Sequence, residues 1–491
     1  MMKKFICRVI MRKYFFTFFL LIMSLMLVAS AVADVRVSKV FTDNAVLQRD
    51  VSVKVWGWAE AGEHVSVSFA DQKVETKADE NGKWLITLLP LVASTEGKDL
   101  TISGKNTLVF RNVVVGDVWI CSGQSNMEWK LGQQSGTPEE VNGDYSYIRY
   151  NRAAHTLASS AQEEINTTGW RVCKEGAQAY TTAVGFHFAV RMFKETGVPV
   201  GLIDSNWGGS NINSWMPDEA WFLLPELKKQ GENIKANREK GQKEECGGMY
   251  YAMIAPWCNY AIKGCIWYQG CSNAGEGDFY YFKQKAMIQQ WRKNWNQGDF
   301  PFYWVQLANF RDASDDPNTG LGWTAIRDAQ TRCMEVVNTG QAVTIDLGEA
   351  KDIHPRNKYD VGNRLALWAL AKDYGKKVEC CSPMFKELKV SGSKVTVTFS
   401  HVGGGLVLGE KTGREPMKVL EGGVLKRFAV AGEDKKFFWA EAKIIGKDTV
   451  ELFSEEVKAP IYVRYAWQMN PAGCNLYSAQ GLPVTPFRTD K

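Results

Sequence analysis

Residues 113–127, VVVGDVWICSGQSNM, restrict the fold more than any other stretch of the chain. Val113 to Cys121 is apolar and β-branched, broken only by Gly116 and Asp117. That length and content read as a buried strand. Ser122-Gly123-Gln124-Ser125-Asn126 then makes a small polar turn. A buried strand ending in such a turn delivers side chains to the carboxyl edge of a sheet, where open α/β sheets bind ligands. Ser125 stands just past the strand, with backbone N–H groups free nearby. This placement suits a nucleophile whose own N–H helps to hold an oxyanion. An ordinary Ser/Asn turn has the same composition, so the argument depends on what the other strands deliver.

Beyond this stretch, strand and helix patterns alternate. Helical periodicity covers 183–196 (Val184, Phe188, Met192), and a buried strand follows at Val198–Ser205, VPVGLIDS. A polar, charged helix is expected within 216–245. Further strands are expected at Lys263–Gln269, Phe302–Asn309 and Ala342–Leu347, with helices near 280–295, 323–337 and 358–374. This alternation predicts a largely parallel sheet with helices on both faces. On either side the pattern is all-β. Val51–Gly57 and His64–Phe69 alternate, and Asn81-Gly82 is a hairpin signal before Trp84–Leu88. After about 376, short alternating runs recur between Gly-rich turns. The expected organisation is a leader at 1–33, a β domain at 34–112, an α/β domain at 113–375 and a second β domain at 376–491.

The leader is read from Lys3, Lys4, Arg8, Arg12 and Lys13, the apolar run Phe15–Val28 and the small-x-small site Ala31-Val32-Ala33. The run is short for a membrane span. Those five basic residues account for the whole net charge of +5. The remainder is balanced, which argues against a nucleic-acid partner and predicts no membrane span in the mature chain. Ten cysteines follow Cys7 without a scaffold-like spacing, and no CxxC or His/Cys cluster points to a metal.

Four strands of the α/β region end in chemically distinctive turns. Ser125 follows the first. Asn206-Trp207-Gly208-Gly209-Ser210 follows the second, and paired glycines let backbone N–H groups approach a substrate oxygen. Gln269-Gly270-Cys271-Ser272-Asn273 presents amides, and the last strand runs into Asp352-Ile353-His354-Pro355. Together they bring a hydroxyl, an N–H, an amide donor and an imidazole to one sheet edge, which are the parts of a serine hydrolase. His187 lies in a helical pattern and reads as packing. His64, His155 and His401 show no paired acid.

GQSNM at 123–127, WGGS at 207–210, QGCSN at 269–273 and DIHP at 352–355 stand in the order seen in SGNH hydrolases. Together with 248–273 and 463–489 they resemble the sialate O-acetylesterase family of carbohydrate esterases. The resemblance implies an SGNH-hydrolase-like three-layer α/β/α domain with a mainly parallel sheet, flanked by β-sandwich-like N- and C-terminal domains. It implies an exported serine esterase acting on an O-acetylated glycan, most of all O-acetylated sialic acid, without cofactor or metal. Acetylated xylan or pectin and a non-catalytic glycan-binding role are the alternatives. By position, Ser125 matches the nucleophile and His354 the base. The N–H of Ser125, an N–H of Gly208 or Gly209, and the Asn273 side chain match the oxyanion hole. Gln124, Trp207 and Gln269 are candidate substrate contacts, while Trp215 suits a core as well as a sugar pocket. Two departures stand out. Cys271 replaces the family's usual Glu, and the acid lies two residues before His354 rather than three, where Lys351 stands. Asp352 therefore competes with Glu349, or with no acid at all, as the partner of His354. At i and i+2 in an extended turn the two side chains diverge, so contact requires a bend before Pro355.

Overall fold

The computed structural model describes residues 34–134, 138–241, 246–320 and 322–490. The expected leader lies outside the described residues. No described helix is long and apolar enough to cross a membrane.

The chain forms two compact units. The smaller comprises, among the described residues, 34–37, 55–86 and 101–109. It is entirely β. Arg36–Val37, Val53–Trp58 and Lys83–Leu88 share one three-stranded sheet, while His64–Phe69 pairs antiparallel with Gln72–Lys77 and with 101–103. Alternate residues of KWLITL are buried, as period-2 patterning requires. Asn81-Gly82 does form a turn, with the Asp79 carboxylate accepting from the N–H groups of Asn81 and Lys83. The strands on either side of it belong to different sheets, however, so it is not a hairpin.

Seven strands, all within the larger unit except residues 107–109 at the start of the first, lie side by side. They are β1 (Thr107–Gly123), β2 (Tyr145–Ala153), β3 (Thr167–Cys173), β4 (Val200–Asn206), β5 (Gly264–Tyr268), β6 (Phe302–Val305) and β7 (Thr339–Ala342). Their order is β3-β2-β4-β1-β5-β6-β7. All neighbours are parallel except the edge pair β3–β2. From residue 113 onward β1 is buried without interruption, as a central strand covered on both faces must be. Its two neighbours come from opposite directions of the chain's winding, so its carboxyl end is a topological switch point. Register fixes what meets there. Asn206 pairs with Gly123, and Tyr268 pairs with Gly123 from the other side. The turns after β4, β1 and β5 therefore start level with one another.

The helices α1 (Ser125–Glu128), α2 (Ala183–Thr196), α3 (Pro225–Glu239), α4 (Phe279–Trp295), α5 (Trp323–Arg332) and α6 (Lys358–Asp373) connect the strands. Thr182 caps α2 through its side chain, and Gly197 ends it in a left-handed conformation. Helix α2 packs against α6, whereas α4 contacts α3 and α5. The expected strand at Ala342–Leu347 is displaced. The ladder covers 339–342 because its partner β6 stops at Val305, opposite Ala342. Residues 343–347 stay largely buried without a sheet partner, held by side chains such as Arg364, which donates to the Val343 carbonyl.

From Met384 the chain forms three further sheets. They close on a core that includes Val395, Val397, Phe399, Val450, Leu452, Val463 and Tyr465. Arg327, on α5, is fully buried and donates to the carbonyls of Leu307, Ala308, Gln468 and Met469. It thereby ties the turn after β6 to the segment after Tyr465.

Candidate active site

Gly123 ends β1 with φ +130, and a Cβ there would lie 2.2 Å from the Tyr268 carbonyl. Glycine is required, because only glycine both adopts that φ and lets β5 approach so closely. The chain then turns into the single helical turn α1. The Ser125 hydroxyl lies 2.9 Å from Nε2 of His354. The N–H of Ser125 has no partner among the described residues, as expected in the first turn of a helix.

The His354 loop is bent by its own aspartate. Oδ1 of Asp352 accepts the His354 N–H at 2.8 Å, an Asx turn. This is the bend that the i, i+2 spacing requires. It brings the same oxygen 3.5 Å from Nδ1 of His354, an ion-pair distance longer than a normal hydrogen bond. Glu349 does not reach the ring and instead accepts the Arg356 N–H at 2.8 Å. Trp129 stacks on the imidazole, with centroids 5.2 Å apart. Burial lowers the His354 pKa, the positive charge of Lys358 lowers it further, and Asp352 opposes both. Asp352 is itself held below the usual carboxylate range, first of all by the His354 N–H.

Asn273 is buried and tightly oriented. Its Oδ1 accepts from the Ile212 N–H at 3.1 Å and from Nε2 of Gln269 at 2.7 Å, and its Nδ2 donates to Asn211 at 2.9 Å. An amide nitrogen carries two protons, so one is left without a partner among the described residues. The two glycines of WGGS separate. The Gly208 N–H is engaged by Oε2 of Glu128 at 2.6 Å, which removes it as an oxyanion donor. Gly209, at φ +75, keeps an N–H with no partner among the described residues. A Cβ on Gly208 would sit 3.4 Å from that of Ser125, so this loop presses directly on the serine.

The expected substrate contacts fare unequally. Gln269 is fully buried and holds Asn273, Ser210 and Tyr280. Gln124 is buried too, and its Oε1 accepts the Gly270 N–H at 2.9 Å. Both are scaffolding, because their polar groups already serve the loops. Trp207 is half-buried and stacks on His155 at 4.3 Å. Trp215 is core, with its Nε1 donating to Ser210. His187 is buried against Gln134 and pushed down to about 3, chiefly by burial. His155 does have an acid partner, with Oε1 of Glu128 at 3.3 Å.

Glu128 and Arg152, 3.1 Å apart, were not legible as site residues. Glu128 follows Ser125 by three positions on α1, a spacing that marks it as a neighbour on one helix face. Arg152 comes from β2, whose aromatic alternation YSYIRY was a usable strand signal. Lys358 was also missed. It opens α6, fully buried, and donates to Oδ1 of Asn126. Among the described residues, no cluster of three or more His, Cys, Asp or Glu is arranged to hold a metal ion, and all ten described cysteines are free.

The family model for carbohydrate esterases described as sialic acid-specific acetylesterases matches residues 115–370. The chain is 26% identical to the sialate O-acetylesterase of Pongo abelii over 93% of both chains. It is 29% identical to that of Homo sapiens over 71% of this chain and 73% of the relative. A crystal structure of a carbohydrate acetylesterase from Xanthomonas citri superposes with a TM-score of 0.83 at 35% identity, covering 93% of this chain and all of that one. A Ser–His contact at a sheet switch point lies within the residues that the family model matches, and the conclusion follows from that match: the chain belongs to the sialic acid-specific acetylesterase family of carbohydrate esterases and is a carboxylic ester hydrolase that removes O-acetyl groups from carbohydrate.

Proposed function

We propose that this esterase works through an acetyl-enzyme on Ser125 and that its substrate is an O-acetylated sialic acid. The observation that carries the mechanism is the 2.9 Å contact between the Ser125 hydroxyl and Nε2 of His354. Ser125 Oγ attacks the acetyl carbonyl carbon while Nε2 takes its proton. The negative oxygen of the tetrahedral adduct accepts from the N–H groups of Ser125 and Gly209 and from Nδ2 of Asn273. Collapse of the adduct returns the proton to the sugar hydroxyl, and water then attacks the acetyl-enzyme and releases acetate. Asp352 steadies the imidazole with its proton on Nδ1. The leader-like residues 1–33 support an exported enzyme. Residues 113–375 would form its catalytic domain, between β domains at 34–112 and 376–491.

Acetylated xylan and pectin are kept as alternatives, since the Xanthomonas citri relative, 35% identical, is a carbohydrate acetylesterase for which no glycan is named. Acetate release from O-acetylated sialic acids, acetylated xylan and acetylated pectin, measured side by side, decides between them. Ser125→Ala should abolish release from whichever is hydrolysed, by several orders of magnitude, with the fold intact by circular dichroism. Activity within tenfold of wild type would remove Ser125 from the mechanism. A wild-type chain inert even on p-nitrophenyl acetate would return it to glycan binding without catalysis.

A further inference from the structure

Lys358 has no place in the chemistry above, yet its side chain is fully buried beside it. Burying an ammonium is costly compared with burying an apolar side chain of similar length, so its contacts need an account. Its Nζ donates to a neutral amide oxygen, Oδ1 of Asn126. The rings of Tyr268 and Trp129 lie 5.5 and 5.9 Å from it. At its other end the Asn126 amide donates to the Ile353 carbonyl at 3.0 Å. A continuous path therefore runs from Lys358, through the residue after Ser125, to the residue before His354.

We propose that Lys358 is a positioning residue of the esterase: through Asn126 it locks the serine turn to the histidine loop, and its charge bears on the His354 imidazole. This rests on the roles given above to Ser125 and His354. The charged and titratable groups around the two can be named. From its own loop, His354 meets Asp352 and Arg356, and from α6 it meets Lys358. Lys358 is favoured as a cation by Asp352 and Glu349 and opposed by Arg356. Burial outweighs these and brings its pKa to about 7. On the acid side of neutrality Lys358 is thus charged, where its field acts on the imidazole. Cys271, from the turn after β5, supplies no anion there, because burial pushes its thiol up to about 12.

The test is the pH profile of p-nitrophenyl acetate hydrolysis by the full-length enzyme and its Lys358→Met and Lys358→Arg variants. Lys358→Met should lower kcat roughly 10- to 100-fold, the scale of a small misplacement of reacting groups, with little change in KM. It should also move the acid limb of kcat/KM to higher pH, by about half a unit or more for a unit charge acting through a partly solvated medium. Lys358→Arg should leave the acid limb in place. An unmoved limb in Lys358→Met, or equal movement in both variants, overturns the proposal. If either fails to fold, Cys271→Glu serves instead. Cys271 lines a cavity of about 730 Å³, so the longer side chain has room, and its carboxylate would offset the ammonium. The limb should again move up, and an unmoved limb again overturns the proposal. Ser125→Ala and His354→Ala controls separate the two levels: activity surviving in them refutes the underlying mechanism, whereas their inactivity with an unmoved Lys358→Met limb refutes this inference alone.

Discussion

Asp352→Asn separates two things that one carboxylate does. Asparagine keeps the oxygen that accepts the His354 N–H, so the Asx turn should survive. What disappears is the negative charge 3.5 Å from Nδ1. That charge matters when the imidazole takes the serine proton and becomes cationic. The two side chains are about 27% and 32% exposed, so solvent screens them. With an effective dielectric of roughly 40–80, unit charges at that distance interact by about 1–2.5 kcal/mol. The expected loss in kcat is therefore roughly 5- to 70-fold, far below the ~10⁴ known for a buried catalytic aspartate in a serine protease. The acid limb of kcat/KM should move to lower pH, since Asp352 raises the His354 pKa. Asp352→Ala should lose more, because the turn goes as well. Initial rates of p-nitrophenyl acetate hydrolysis between pH 5 and 9 measure all of this. A variant within twofold of wild type and with an unmoved limb would show a Ser–His dyad. A loss beyond 10³ would show that the carboxylate closes on Nδ1 during turnover and that the 3.5 Å separation is not the working geometry.

The remaining predictions address the donors and the core. Asn273→Ala should lower kcat by roughly 10²–10³ with KM nearly unchanged, typical of losing one oxyanion donor; a change in KM alone would assign Asn273 to ground-state binding. His187 is held neutral, pushed down to about 3 by burial and by Arg414. An unfolded chain protonates it near 6.5, so stability falls as pH drops from about 6.5 toward 3. His187→Gln should flatten that slope in urea unfolding measured across this range. An unaltered slope would mean that His187 is already charged in the native state.

Much of the site was readable because its parts follow strands. Residues 113–121, 200–205 and 264–268 are buried on both faces, and continuous apolar runs announce such strands plainly. Their turns carry chemically distinctive residues at fixed offsets. Contacts between turns were not readable. Nothing local says that Glu128 takes the Gly208 N–H while that of Gly209 has no partner among the described residues, or that Gln269 holds Asn273. A lysine opening a helix reads as solvent-facing, and only the packing of Trp129 and Tyr268 over Lys358 makes it otherwise. The displaced β7 has the same origin. The sequence pattern of 342–347 reports burial, while a ladder needs a neighbour, and β6 ends too soon to provide one.

The position of β1 between β4 and β5 has a consequence for synthesis. The strand emerges well before either neighbour, and its second partner is complete only at Tyr268. At roughly 5–20 residues per second, the interval from residue 123 to residue 268 is on the order of 7–30 seconds. Throughout it, the edge that β5 will cover waits unpaired on an apolar β-branched segment, the kind of surface on which nascent chains pair with one another. Its partners are distant in sequence, so closure is slow even after release. His354 arrives later still. Esterase activity would thus follow completion of the central sheet, which makes acetate release a readout of that step.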